Sequence, residues 1–180
     1  YEILRPLLRP LFMVEKDRHR LAVGDHITLL FENARTVWYQ VQEMIRSERL
    51  IAENAIQYEI DTYNELLPRP GELAATMLLE YDTPTRDAAL RALVGFERNL
   101  FVCLDRRREP ARFDSRQMSE ERVSAVQFVR FPLGGLDSSE FLALADAGKA
   151  VIEIKHPQLS ASATISGPLA AALAQDLAEA

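Results

Sequence analysis

Hydrophobic and polar positions recur with a period of about two residues in some stretches and about 3.6 in others, and each period predicts one kind of element. Alternating stretches predict strands over 20–23, 26–32, 72–81, 96–105, 123–133, 150–155 and 159–165. Gly24-Asp25 separates the first two, which predicts a hairpin. An N-terminal arm, 1–20, carries Pro6 and Pro10 ahead of an apolar run and predicts a short helix, because proline is tolerated in a first helical turn.

The longest stretch without glycine or proline runs from Ala34 to about Leu67 and predicts one long helix, capped by Asn33. Shorter helices are expected over 83–95, 138–148 and 168–180. Several neighbouring strands are joined by connections too short for a crossover, which favours antiparallel pairing. We therefore expect an α+β fold, with an antiparallel or mixed sheet of about five to seven strands covered by one long central helix and shorter helices.

Composition adds that the chain is globular. It has 180 residues, of which 48% are hydrophobic and 27% charged, which fits one domain over 1–180 and excludes disordered and collagen-like proteins. No apolar run approaches the ~18 to 20 residues of a membrane span. A net charge of -6 argues against general nucleic-acid binding. We expect a soluble protein without membrane or nucleic-acid partners, and homo-oligomerisation stays open.

Cysteine and histidine usage limits the redox and metal chemistry. Cys103 is the only cysteine, which excludes an intrachain disulfide and favours a cytoplasmic location. Because it lies in an apolar run, we expect a buried thiol with a raised pKa rather than a nucleophile. The three histidines are too scattered to predict a zinc site, so no metal is predicted and cofactors stay unknown. Residues before Tyr1 are unknown, so a cleaved signal stays open.

The predicted long helix carries two carboxylates within its apolar stripe. On a helical wheel Glu48 and Glu59 fall near the centre of that stripe, so both are expected to point toward the core. A buried carboxylate needs a partner or a raised pKa. One explanation is structural: each acid forms an ion pair with an arginine, the candidates being Arg98, Arg122 and Arg130. The other explanation is a polar site beneath the sheet.

Such a site needs further elements, because about 16 Å of helix separate the two acids. Glu80, on a predicted strand, and His156, at a predicted hairpin tip, complete a set of four catalytic candidates with Glu48 and Glu59. Common catalytic and nucleotide-binding motifs are missing, so it stays open whether the protein is an enzyme.

A polar connection, 106–121, holds the basic cluster of the chain. Its arginines are interleaved with acids, which does not fit a broad nucleic-acid surface but suits a small anion or an acidic partner. The cluster comprises Arg106, Arg107, Arg108, Arg112 and Arg116. The candidate ligand-binding residues are Arg107, Arg112, Arg130 and Glu32, the last at the end of a predicted strand.

One set of positions is shared with a known family: Phe31-Glu32-Asn33, Thr36, Gln40, Gln42-Glu43-Met44, Arg46, Glu48, Ala75-Thr76-Met77-Leu78, Glu80, Ser124-Ala125-Val126, Arg130-Phe131 and His156-Pro157. At these positions the sequence resembles a bacterial family, domain of unknown function 3501. The likeness covers most of the chain from about Lys16 onward. The site candidates that lie on or beside matching positions are Glu32, Glu48, Glu59, Glu80, Arg130 and His156.

The resemblance implies a small soluble cytoplasmic protein with a partner role near redox chemistry, beside rubrerythrin-like or iron-sulfur proteins. It supplies no catalytic residue, because the family has no assigned activity. Our leading hypothesis is a non-catalytic accessory or ligand-binding protein associated with such redox partners. The alternative is an enzyme or metal-binding protein that uses a buried Glu/His site.

Overall fold

A computed structural model describes residues 1–114 and 119–179, and within these ranges the chain forms six α-helices and two antiparallel β-sheets. The predicted α+β class is therefore confirmed. The helices are α1 (Arg5–Arg18), α2 (Ala34–Ser47), α3 (Glu53–Asn64), α4 (Thr83–Ala92), α5 (Ser138–Asp146) and α6 (Gly167–Glu179). The strands are β1 (Arg20–Ala22), β2 (Ile27–Phe31), β3 (Glu72–Leu79), β4 (Leu100–Leu104), β5 (Arg107–Pro110), β6 (Arg112–Phe113), β7 (Val126–Pro132), β8 (Ala150–His156) and β9 (Leu159–Thr164).

The strands form two sheets, where the sequence predicted one. The first sheet has the order β1-β2-β3-β7-β6 and the second the order β5-β4-β8-β9. The chain changes sheet at Ala111, which is buried between β5 and β6 and donates its N–H to the carbonyl of Leu100 at 2.9 Å. The connection predicted over 106–121 thus contains two short strands. Arg116, a member of the predicted arginine cluster, lies outside the described residues.

One cluster of buried apolar side chains joins the inner faces of the two sheets to α5 and α6. The alternation along β4 follows the prediction, since Leu100, Val102 and Leu104 are buried. Cys103 was expected to be buried but is half-buried on the outer face, where its Sγ lies 3.7 Å from Glu153 Oε2. Burial and the nearby Glu153 charge raise the pKa of the Cys103 thiol.

The prediction of one helix from Ala34 to Leu67 is wrong, because the chain turns between α2 and α3. Arg49 has a φ of 53° in the left-handed region. The N–H groups of Leu50 and Arg49 donate to the carbonyls of Ile45 and Arg46, at 3.0 and 3.3 Å. These are the two hydrogen bonds of a Schellman motif, which usually places glycine where Arg49 stands. Without that glycine the turn leaves no signal in the sequence.

The turn also leaves Glu48 at the end of α2 and places Glu59 on a separate helix, α3. Glu48 caps the end of α2 and is exposed, and Glu59 on α3 is half-buried. The expectation that both carboxylates point into the core is therefore wrong for Glu48 and only partly met for Glu59. The helical wheel assumed one continuous axis, and the break at Arg49 removes that assumption.

Candidate functional site

A row of four residues crosses the outer face of the first sheet beneath α3. The N–H of Glu32, just after β2, donates to the carbonyl of Ala74 on β3 at 2.8 Å. Ala74 is paired with Arg130 on β7, and Arg130 is paired with Arg112 on β6. Paired residues on neighbouring strands project from the same face of a sheet. The row therefore sets a carboxylate on one side, two guanidinium groups on the other and a small alanine between them.

The cleft above this row has a volume of about 850 Å³. This lies within the range of about 300 to 1,000 Å³ that is typical of small-molecule sites. The sheet forms one wall, and α3 with the residues after it forms the other. The lining consists of Glu32, Tyr58, Asp61, Thr62, Glu65, Leu66, Arg69, Ala74, Ala75, Arg112, Phe113, Asp114, Phe128, Val129 and Arg130. Three of the four predicted ligand-binding residues, Glu32, Arg112 and Arg130, thus line one cleft.

Glu32 is held as a hydrogen-bond acceptor at the closed end of the cleft, and it is only 3% exposed. The hydroxyls of Thr36 and Thr76 donate to its two carboxylate oxygens at 2.5 and 2.6 Å. The side-chain amide of Gln40 spans both oxygens, at 3.0 and 3.1 Å. The donors come from α2 and β3, so the carboxylate ties the helix to the sheet.

The electrostatic effect of Glu32 reaches two half-buried neighbours. Burial raises the pKa of the Tyr63 hydroxyl, and the negative charges of Glu59, Glu48 and Glu32 raise it further. Burial lowers the pKa of Lys16, although the charge of Glu32 opposes that shift. The predicted acids Glu48 and Glu59 are therefore close enough to act on the same tyrosine as Glu32, although neither lines the cleft.

Arg130 clamps the end of α3 to the first sheet. Its guanidinium forms an ion pair with Glu72 and donates to the carbonyls of Glu65 and Leu67, which follow the last turn of α3. The side chain of Glu72 is only 8% exposed. Arginine is favourable at this end of a helix because the last carbonyls have no partner within the helix.

The predicted ion pairs between helix acids and arginines are wrong. Arg130 binds Glu72, while Arg122 pairs with Asp87 and Arg98 with Glu97. The break after α2 explains the difference, because the prediction assumed that Glu48 and Glu59 face the sheet.

The other predicted site residues lie elsewhere. Arg107 donates to the carbonyl of Gly134 at 3.1 Å. Glu80 is exposed and accepts from Thr28 at 2.7 Å, and His156 is buried in the second sheet with its Nε2 3.3 Å from the carbonyl of Val94. Among residues 1–114 and 119–179, no three His, Cys, Asp or Glu side chains lie close enough together to hold one metal ion.

A second polar cluster was missed by the sequence analysis. His19 is 1% exposed, and its two ring nitrogens lie 2.8 Å from Asp176 Oδ2 and 2.8 Å from the carbonyl of Glu15. The side-chain amide of Asn33 donates to Asp176 at 3.1 Å and to Glu15 Oε1 at 3.2 Å. The cluster joins α1, the start of α2 and α6. No local pattern could reveal it, because Asp176 lies 157 residues from His19.

The cluster predicts a pH-dependent stability. Burial disfavours the charged ring, but the hydrogen bonds to Asp176 and Glu15 raise the pKa of His19 above 6.5. A raised pKa contributes stability that is complete below the unfolded-state value and is lost as pH rises through the folded-state value. His19→Gln should therefore lower the free energy of unfolding most in acid, by about 2 kcal/mol, and progressively less as the pH rises above 6.5.

Urea unfolding of the parent protein and of His19→Gln at a series of pH values measures this difference. His26→Gln is the matched control, because His26 is exposed, and it should change stability little in acid or base. A His19→Gln effect that is constant with pH, or that grows as pH rises, would contradict the assignment.

Comparisons with known proteins agree with the resemblance seen in the sequence. The family model described as "Protein of unknown function (DUF3501)" matches residues 1–177. A similar solved structure is described as the crystal structure of a novel protein of unknown function from Burkholderia pseudomallei K96243 at 1.90 Å resolution. The two sequences are 35% identical, and the two folds agree with a TM-score of 0.86. The match covers 98% of this chain and 93% of that chain. No curated protein matches the chain. In the described part of the chain no helix has the length and apolar character needed to span a membrane.

Proposed function

We propose that this chain, which belongs to the DUF3501 family, is a ligand-binding protein whose cleft takes an elongated organic anion with N–H donors at its far end. The row from Glu32 to Arg112 carries the proposal. Neighbouring strands lie about 4.8 Å apart, so three strand spacings separate these two residues by about 14 Å. A ligand that contacts both side chains needs polar ends on the order of 10 Å apart.

The anionic end of the ligand is assigned to the arginine side of the cleft. Arg69 and Arg112 are exposed cleft residues, and within residues 1–114 and 119–179 neither guanidinium forms an ion pair. A guanidinium binds a carboxylate or phosphate through two parallel hydrogen bonds. Arg130 positions this wall, since its own donors are bound to Glu72 and to two backbone carbonyls.

The donor end of the ligand is assigned to Glu32. Gln40 is the exchangeable partner of this carboxylate, because one amide is shared between two oxygens at longer distances than those of the two threonine hydroxyls. A ligand ammonium or N–H group can replace that amide and gain a charge-assisted hydrogen bond.

The walls between the two ends fit a flat apolar body. Tyr58 on α3 is 68% exposed, and Phe128 on β7 lines the opposite wall. Aromatic side chains bury large areas and favour offset stacking on planar groups. Nucleoside monophosphates and tripeptides with a central aromatic residue, which span about 10 Å when extended, have this combination of a donor end, a flat body and an acidic end.

The enzyme or metal-binding alternative is not favoured, because none of Glu48, Glu59, Glu80 and His156 lines the cleft. Association with rubrerythrin-like or iron-sulfur partners stays a prediction from the family resemblance, as do the cytoplasmic location and the organisation of 1–180 as one domain. Pull-down from a bacterial lysate with metal analysis of the bound fraction tests the partner prediction.

Calorimetric titration with adenosine 5′-monophosphate, glycyl-phenylalanyl-glycine and inorganic phosphate tests the cleft. We expect one of the first two probes to bind, and Arg112→Ala to weaken that binding about tenfold, as expected for loss of a charge-assisted contact. Arg107→Ala is the matched control, an exposed arginine outside the cleft, and should leave the affinity unchanged. Binding that Arg112→Ala does not weaken, or no binding by either elongated probe, would refute the proposal. If inorganic phosphate binds as tightly as the elongated probes, the cleft recognises only the anionic group and Glu32 contributes no ligand contact.

A further inference from the structure

The outward face of α1 carries a continuous apolar stripe. Leu4, Leu7, Leu11 and Val14 are each at least 54% exposed, and no residue of α1 is buried. Their spacing of three, four and three residues is that of the a and d positions in a heptad, which form the contact seam of paired helices. Trp38 of α2, 45% exposed, widens the stripe beside α1.

The opposite face of α1 is anchored, so the helix cannot turn the stripe inward. Arg5 forms a two-pronged ion pair with Glu43, at 2.7 and 2.8 Å, and the Tyr1 hydroxyl donates to the same carboxylate at 2.5 Å. The hydrogen bond from Arg5 lowers the pKa of Glu43 to about 2, so this pair persists at neutral pH. Phe12 stacks on Tyr39 with ring centroids 4.7 Å apart.

We propose that this stripe is a dimerisation surface, which pairs with the same stripe on a second copy of the chain. Its spacing is symmetric about position 9. An antiparallel pair related by a twofold axis therefore sets Leu4 against Val14 of the second copy and Leu7 against Leu11. Arg9 lies at the midpoint but on the other side of the helix, at roughly 180° from the stripe. A surface that is complementary to itself in this way is the hallmark of a twofold interface.

Charge favours the antiparallel arrangement. Glu2 and Arg18 are exposed at opposite ends of the α1 region. Antiparallel packing brings the Glu2 end of one copy to the Arg18 end of the other and opposes the two helix dipoles, whereas parallel packing would bring like charges together.

The size of the surface suits a reversible dimer. Covering the stripe and Trp38 on both copies removes on the order of 1,000 Å² of surface, mostly apolar, which is near the lower limit for a specific interface. Affinity in the micromolar range is therefore expected. The exposed charges at the two ends of the α1 region, Glu2 and Asp17 against Arg18, leave no excess of positive charge, which does not suit an anionic membrane surface.

Sedimentation velocity over about 1 to 200 µM protein tests the dimer. The parent chain should pass from monomer to dimer, and Leu7→Glu/Leu11→Glu should weaken dimerisation at least 100-fold. At about 1 µM, where the parent chain is monomeric, the two thermal midpoints should agree, since both side chains are exposed. Ile51→Glu is the matched control: it alters a side chain that is 89% exposed on the turn after α2 and should leave the dimer intact. A parent chain that stays monomeric, or a dimer that survives the double substitution, would refute the proposal.

Cross-linking in a Cys103→Ser background tests the geometry. A mixture of Leu7→Cys and Leu11→Cys chains should form an intermolecular disulfide, because the antiparallel pair brings these two positions together. Leu7→Cys alone should not cross-link. Cross-linking of Leu7→Cys to itself would indicate a parallel pair and overturn the assignment. Monomers that bind vesicles of anionic lipid through the stripe would assign it to a membrane instead.

Discussion

Replacing Arg130 by methionine should lower the free energy of unfolding by about 3 to 5 kcal/mol, the largest single effect we expect in this protein. The substitution keeps the length and apolar stem of the side chain but removes the guanidinium. Glu72 would then remain as a buried carboxylate without its cation, and the carbonyls of Glu65 and Leu67 would lose their donors. An unpaired buried charge costs far more than the net value of the pair.

Urea unfolding monitored by circular dichroism measures this loss, and the thermal midpoint should fall by roughly 10 °C for a domain of this size. Arg112→Met is the matched control: it is the neighbour of Arg130 in the cross-strand row, but it is exposed and has no ion pair within the described residues. A loss at Arg130 no larger than the loss at Arg112 would show that the clamp does not stabilise the fold. Glu72→Leu combined with Arg130→Met should recover part of the loss, because the lone buried charge is gone.

Glu32→Ala should lower the free energy of unfolding by about 3 kcal/mol, because it leaves three donors in the closed end of the cleft without their acceptor. These are the hydroxyls of Thr36 and Thr76 and the amide of Gln40. The same carboxylate fixes the start of α2 against β3, so amide exchange in the first turn of α2 should also become faster.

Glu80→Ala is the matched control for Glu32→Ala. Each of these acids follows a strand and accepts from a threonine on the neighbouring strand: Thr76 for Glu32, and Thr28 for Glu80. Glu80 is exposed, so water can replace it as an acceptor, and its loss should have little effect. If both substitutions destabilise the protein equally, burial of Glu32 does not account for its contribution.

Strands could be predicted where side chains alternate in burial, as in β4 and β7, or where a turn carries glycine, as between β1 and β2. The hairpin at Gly24-Asp25 and the buried positions of β4 follow from such local patterns. The break at Arg49 could not be predicted, because an arginine occupies a left-handed position where glycine would have been the signal. Two errors follow because no glycine marks this break: the predicted orientation of Glu48 and the predicted ion-pair partners of the arginines.

The cleft could be predicted only in part. The family resemblance and the charge pattern drew attention to Glu32, Arg112 and Arg130, and the structure brings these three residues to one row. The row itself depends on strand order and register, which are set by contacts between distant segments and leave no local pattern. The His19–Asp176 pair was missed for the same reason.

Ala111 makes the orientation of Arg112 sensitive to the length of the corner between the two sheets. It is the one residue between β5 and β6. Since successive strand residues project to opposite faces, inserting or deleting one residue at this corner would reverse the orientation of Arg112 and take its guanidinium out of the cleft. Homologues whose corner differs in length by one residue should therefore have lost this arginine as a ligand contact, so corner length offers a way to sort the family by binding capacity.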